Sequence, residues 1–332
     1  MRNRPSRERS RERGAALLVV LWMLALLALV AVGLAGTART ETRLAANLVA
    51  EAESHYRAQA AAMHATLLLL DTARPPPPQI ALAGDDAPEA APDAEVTARD
   101  QCGLVDINTA LGGLVAALMA TAGGGADAAF ARTQALLDWR DPDRYRRNRG
   151  AEDDDYALAG RAHGARDGLF EGVDELQQVL GIDHEAYDRL RPLVTVDCLA
   201  AGIDPLAAPE PLLRTLPGVP EEERQRFLSA RAEWLERPDE GEPPELRGSG
   251  DYAVPSLAQA FGIEVRIPRG EDGGAAVTWE AVVWLTGDPE RPFLLRRWQR
   301  RPAMPPATEP DAAAPDMRMN DSEATDSDPP RL

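Results

Sequence analysis

The stretch DWRDPDRYRRNRGAEDDDY (138–156) holds the densest chemistry in the chain. Hard carboxylate oxygens at such close spacing suit a calcium ion. Counted from Asp141, an EF-hand register puts Asp143 at position three and Glu152 at position twelve. Tyr145 and Arg146 then fall where an oxygen ligand and a glycine belong, so the stretch is not an EF-hand. Its other reading is a solvated acidic loop neutralised by Arg140, Arg144, Arg146, Arg147 and Arg149. Elsewhere the chemistry is sparse. His55, His64, His163 and His184 show no nucleophile pattern, and His55 and His64 are too far apart for an i, i+4 metal pair. They read as surface or packing residues, and the chain does not read as an enzyme. Cys102 and Cys198 are consistent with one disulfide if the compartment is oxidising. Their spacing suggests no zinc site, and the remaining alternative is two unpaired thiols.

The 332 residues could hold one large domain or two ordinary ones. Residues 1–13 carry six Arg and two Glu, a net +4, so the overall −18 leaves −22 on the rest. A body that acidic repels phosphate backbones, which argues against nucleic acid as a partner. Between Ala15 and Gly36 lie 22 residues without a charge. As a helix they span about 33 Å, one hydrocarbon core, and they are too long for an ordinary secretory h-region. The arginines in front hold the N-terminus in the cytoplasm and send the rest outward. An apolar stripe continues through Leu44, Leu48, Ala52, Tyr56, Ala60, Met63, Leu67 and Leu70, and RPPPP (74–78) ends the helix.

A short basic leader ending in glycine, a nonpolar helix and its amphipathic continuation resemble a type IV prepilin. The resemblance implies cleavage by prepilin peptidase between Gly14 and Ala15, with the helix retained in the inner membrane. Most relatives carry Glu at the fifth mature position, to pair with the terminal amine of the subunit ahead. Here that position is Val19. An unpaired carboxylate in lipid costs several kcal/mol, so an apolar residue suits a subunit with nothing ahead of it, at the filament tip.

Residues 75–99, rich in Pro, Ala and Asp, read as a linker or irregular segment. CGLVDINTALGGLVAALM then opens a helical region, with Asn108 or Thr109 as N-cap and Leu111, Leu114, Val115 and Leu118 on the buried face. A second helix is expected over about 127–139. ELQQVLGIDHEAYDRL (175–190) and PLLRTLPGVPEEERQRFLSARAEWL (211–235) share a helix, a hydrophobic-Gly-hydrophobic turn and another helix. VDINTA and GIDPLAA (202–208) look like two copies of one turn. Together these predict an inserted helix-hairpin-helix (SAM-like) domain over 100–236. Such hairpins often bind DNA, and a membrane-anchored, ComEA-like DNA receptor is the alternative function. The turns, however, run into DHE and PEEE, whose carboxylates satisfy the helix dipole and repel phosphate. FGIEVRI, AVTWEAVVWL and PFLLRRW predict three strands within 237–301, and 302–332 reads as a disordered tail.

The order of parts is a leader (1–14), a transmembrane helix (15–36), an amphipathic continuation (37–74), a helical insertion and a C-terminal sheet. With Val19 and the phrases VDINTA, LLDWRDPD and GAEDDDY, it resembles the type II secretion system protein K family of minor pseudopilins. The resemblance implies an α+β fold with a long N-terminal helix, a pilin-like antiparallel sheet and an inserted all-α domain. It implies a place at the pseudopilus tip with minor pseudopilins I and J, ahead of the major pseudopilin, helping to start assembly and limit filament length. It also implies calcium in the helical domain, with Asp138, Asp141, Asp143, Glu152 and Asp155 as candidate ligands.

Overall fold

The computed structural model describes residues 8–70, 78–237, 241–269 and 274–301; within the long first helix, side chains are described over 17–33 and 40–70. The first half of the leader, most of the proline run and the tail 302–332 lie outside the described residues.

Helix α1 (Glu8–Leu70) runs unbroken for 63 residues, about 95 Å, starting inside the expected leader. Over 17–33 every side chain is exposed and apolar or small. Among the described residues no helix is long and apolar enough to cross a membrane. The expected span, 15–36, runs past both ends of the run whose side chains are described.

The C-terminal half of α1 lies on a five-stranded antiparallel sheet of order β1-β2-β5-β6-β7. Its strands are β1 (Gln79–Leu82), β2 (Glu95–Asp100), β5 (Ala260–Arg269), β6 (Gly274–Leu285) and β7 (Phe293–Arg301). Alternation sends Phe261, Ile263, Val265, Ile267, Val277, Trp279, Ala281 and Val283 to the α1 side. Two of the five strands come from the segment expected to be a linker. In EVTARD the inward residues are Val96, Ala98 and Asp100, a pattern too weakly apolar to read as a strand.

The face that α1 buries is also not the one expected. Ala58, Ala61, Ala62, Ala65 and Leu69 recur at helical spacing and pack on the sheet. Small side chains let the helix axis approach the strands closely. His55 accepts a hydrogen bond at Nδ1 from Trp298 Nε1 (3.4 Å), Arg300 pairs with Glu51 (2.9 Å), and Arg57 pairs with Asp93. Leu44, Leu48, Ala52, Tyr56, Met63 and Leu67 face solvent, Tyr56 at 68 % exposure, while Ala60 and Leu70 are half-buried. Side-chain size pointed to the wrong face, because alanines make the intramolecular contact.

Between β2 and β5 sits the helical body: β3 (Val105–Asp106), α2 (Gly112–Thr121), α3 (Gly125–Arg140), α4 (Asp153–Leu158), α5 (His184–Leu190), β4 (Val194–Thr195), α6 (Glu210–Leu213) and α7 (Glu221–Glu236). It has its own core around Leu114, Leu118, Leu136, Tyr156, Leu176 and Leu212. The expected cap of α2 is corrected: Leu111 is the N-cap residue and is partly exposed. Asn108 instead bonds the Phe170 backbone in both directions (2.8 and 3.0 Å), and Thr109 Oγ1 donates to Ala200 O. The turn belongs to buried Asp106, whose Oδ1 accepts from Asn108 N (2.9 Å) and whose carbonyl accepts from Ala110 N. Asp204 repeats it, accepting at Oδ1 from Leu206 N (2.9 Å) and at its carbonyl from Ala208 N. VDINTA and GIDPLAA therefore fold alike.

Ala61→Leu should force α1 off the sheet and cost about 1–3 kcal/mol in urea unfolding. Met63→Ala, on the outward side, should change stability by no more than about 0.5 kcal/mol.

Candidate functional site

The last turn of α3 delivers Asp138, Asp141 is its C-cap residue, and the chain then wraps back over them to the start of α4. Asp138 is fully buried and accepts the Arg147 N–H at both oxygens (3.3 and 3.2 Å). Gly150 permits this wrap, since a Cβ there would meet Asp138 Oδ2 at 1.9 Å. Asp155 closes the start of α4 by accepting Glu152 N–H (3.1 Å). That places the Glu152 carboxylate inward, 7 % exposed, with neither oxygen hydrogen-bonded. Asp141 Oδ1 and Asp167 Oδ1 are likewise buried without a partner.

Burial pushes the Glu152 carboxyl up to about 7, helped by the charges of Asp138, Asp167 and Asp141. Asp138 is raised by burial, against the Arg147 N–H and charge. Asp141 is raised by burial too, with Arg147 opposing and Asp143 and Asp167 adding. Such orphaned, mutually repelling carboxylates are the donor set a hard divalent cation requires. Among the described residues, however, no three His, Cys, Asp or Glu side chains are gathered closely enough to hold an ion outright.

The structure therefore regroups the expected ligands. Asp138 and Asp141 lie close enough to Glu152 for their charges to act on it. Asp143 is exposed and accepts Tyr145 N–H (2.8 Å), and Asp155 is used by the Glu152 N–H and by Arg146 (2.8 Å). Asp167, whose charge also acts on Glu152, was not among the expected ligands. It sits at φ 53°, in the left-handed region that Asp tolerates. Its Asp167-Gly168 dipeptide signals a turn but carries no metal spacing. The arginines take up the alternative reading in part. Arg144 pairs with Asp167 (3.2 Å), Arg146 with Asp155, Arg147 with Asp141 (2.7 Å) and Arg149 with Asp127 (2.8 Å). Arg140 instead donates to the Ile107 and Ala110 carbonyls.

Of the remaining positions, Gly14 and Ala15 lie within α1, their side chains outside the described residues, and Val19 is 60 % exposed on its apolar stretch. Cys102 and Cys198 form a disulfide with Cα atoms 4.9 Å apart. The hairpin turns offer phosphate little. Arg132 Nε donates to Gly181 O (2.7 Å), and Arg224 donates to Leu213 O and Val219 O. Asp183 caps α5 by accepting Ala186 N–H (2.8 Å), and Glu221, Glu222 and Glu223 fill the first turn of α7.

The fold defines a class: a long helix on an antiparallel sheet whose second and third strands in spatial order bracket a helical body. Residues 97–197 match the family described as type II secretion system (T2SS), protein K. A curated type II secretion system protein K from Pectobacterium carotovorum subsp. carotovorum is 38 % identical over 77 residues, 22 % of this chain. That alignment spans 24 % of the relative's length. A chain in the crystal structure of the GspK-GspI-GspJ complex from the enterotoxigenic Escherichia coli type 2 secretion system superposes with TM-score 0.52 and 18 % identity. The superposition covers 80 % of this chain and 99 % of that one, a likeness of fold. The segment 97–197 thus carries the type II secretion system protein K signature, and the family resemblance read from the sequence holds.

Because Glu152 holds its proton in the folded state well above the unfolded carboxylate range, its stabilising contribution is present below about pH 4.5 and is lost as pH rises through about 7. In chelator, urea unfolding of the wild type should therefore lose about 1–3 kcal/mol between pH 5 and pH 8. Glu152→Gln should flatten that slope.

Proposed function

We propose that the chain is a minor pseudopilin of a type II secretion system, seated at the pseudopilus tip, where it helps start assembly and limit filament length for export across the outer membrane. The observation that carries this is the outward face of α1. Leu44, Leu48, Tyr56, Met63 and Leu67 form an apolar stripe that the chain's own sheet leaves exposed. A helix with one face on its own sheet and another apolar face toward solvent fits lateral packing against other helices. The solved neighbour was crystallised as a GspK-GspI-GspJ complex, which supports minor pseudopilins I and J as the helices that cover the stripe. The major pseudopilin would follow below.

On this reading 15–36 spans the inner membrane, prepilin peptidase removes 1–14 in front of Ala15, and the rest is periplasmic. Val19 leaves no carboxylate to pair with a preceding subunit, as suits the first one. The inserted body, of helix-hairpin-helix type, is a packing scaffold; the capped turns and acidic helix starts count against DNA. Calcium would be held by Asp138, Asp141, Glu152 and Asp167, supplying the charge these buried oxygens lack.

Coexpression with tagged minor pseudopilins I and J tests the reading. Tyr56→Asp with Leu67→Asp should cut co-purification at least about tenfold while leaving the fold intact by circular dichroism, since both side chains are exposed. Undiminished co-purification would remove the stripe from the interface.

A further inference from the structure

The outward stripe of α1 ends in a hollow on the side of the uncharged run. Leu44, Asn47, Leu48, Ala50 and Glu51 of α1 and Arg300 of β7 line an open cavity of about 690 Å3. Leu44 and Leu48, one helical turn apart, are both well exposed there. Arg300 reaches the hollow through its ion pair with Glu51 (2.9 Å). Strand β7 runs antiparallel to α1, since Trp298 meets His55 and Arg300 meets Glu51. Each step along β7 therefore leads down α1 toward Leu48 and Leu44, and β7 ends at Arg301, beside the hollow.

The sequence after Arg301 has the chemistry to fill it. Residues 302–308 read PAMPPAT, without a charge, and Glu309 is the first acidic residue after them. Side chains alternate along a strand, and Trp298 and Arg300 are the β7 residues that touch α1. The next positions in that alternation are Pro302 and Met304. Met304 stands three residues past Arg301, a reach of about 10 Å. From Leu44 to Glu51 the hollow is also about 10 Å long along the helix axis. A proline-rich segment of about five residues extends about 15 Å, enough to cover it from end to end.

We propose that residues 302–306 of this chain dock in the hollow, with Met304 against Leu44 and Leu48, and cover that end of the stripe until a partner helix displaces them. Pro302, Pro305 and Pro306 have few backbone states to lose on docking. A methionine adapts its unbranched apolar side chain to an irregular gap. So short a tether holds the segment at millimolar effective concentration, and a weak contact is then enough to occupy the hollow. A lone subunit thereby keeps part of its packing surface covered. The covering role rests on the pseudopilin reading above, and the docking does not.

The test is photo-crosslinking of the intact chain in detergent, with Met304→p-benzoylphenylalanine and, as control, Asp326→p-benzoylphenylalanine. Irradiation should join position 304, but not 326, to a peptide within 44–51 of the same chain, read by mass spectrometry of the monomer band. Leu48→Asp, on an exposed side chain, should cut the crosslink from 304 at least about fivefold. Crosslinks from 304 distributed like those from 326 overturn the docking. A second measurement compares binding of minor pseudopilins I and J to the intact chain and to one stopped after Arg301. The shortened chain should bind about three- to tenfold more tightly, because a tethered competitor is gone. Equal or weaker binding, with the crosslink present, overturns the covering role and leaves the pseudopilin reading standing. Binding by neither chain overturns that reading and the covering role together, and the crosslink still decides the docking.

Discussion

Everything between residues 101 and 259 must leave the sheet and return to it at one point, because β2 and β5 are hydrogen-bonded neighbours. Asp100 stands opposite Phe261 in their register. Closing a loop of some 160 residues costs roughly 4–5 kcal/mol of chain entropy, and the neck of the insertion repays it with concentrated bonding. Cys102 is joined to Cys198, and Asp204 N donates to Cys102 O (2.7 Å). Asp106 Oδ2 gathers the Cys198 and Leu199 N–H groups, and Asp204 Oδ2 accepts from Ser256 N (3.0 Å). Buried carboxylates act here as knots for backbone donors. Burial raises Asp100 and Asp204, and the bonds from Cys102, Leu206, Ser256 and their neighbours hold them in place.

That neck decides which surfaces remain free. The sheet's other face meets the inserted body through Arg191 on Glu280 (3.1 Å) and Arg297 on Asp197 (3.5 Å), since residues such as Glu280 alternate away from α1. α1 packs on one face of the sheet, and the body reaches the other face through these ion pairs. The outward side of α1 stays apolar and open, continuous with the long exposed run at its start.

Much of this was legible in the sequence because it rests on local patterns. The uncharged run before residue 37, the alternation of β5 and β6, the glycine turns at 181 and 218 and the paired VDINTA and GIDPLAA turns each announce themselves within a few residues. What failed depended on tertiary context. The large apolar side chains of α1 drew the expected face away from its alanines, so α1 was turned the wrong way; β1, only four residues long, and β2, with Asp100 among its inward residues, were lost among prolines and aspartates. Asp138, Asp141 and Glu152, whose charges interact, stand out in the sequence by density of charge. Asp167 lies 15 residues beyond Glu152, and its charge reaches Glu152 from a left-handed turn that no spacing rule encodes. Asp143 and Asp155, near in sequence, were spent on local backbone and arginine bonds.

The pseudopilin assignment is tested most directly by the mature N-terminus. Mass spectrometry of the chain after coexpression with a prepilin peptidase should find Ala15 as the first residue, with the apolar helix retained. An uncut chain, in cells where a control prepilin is processed, or a start beyond Gly36, would contradict it.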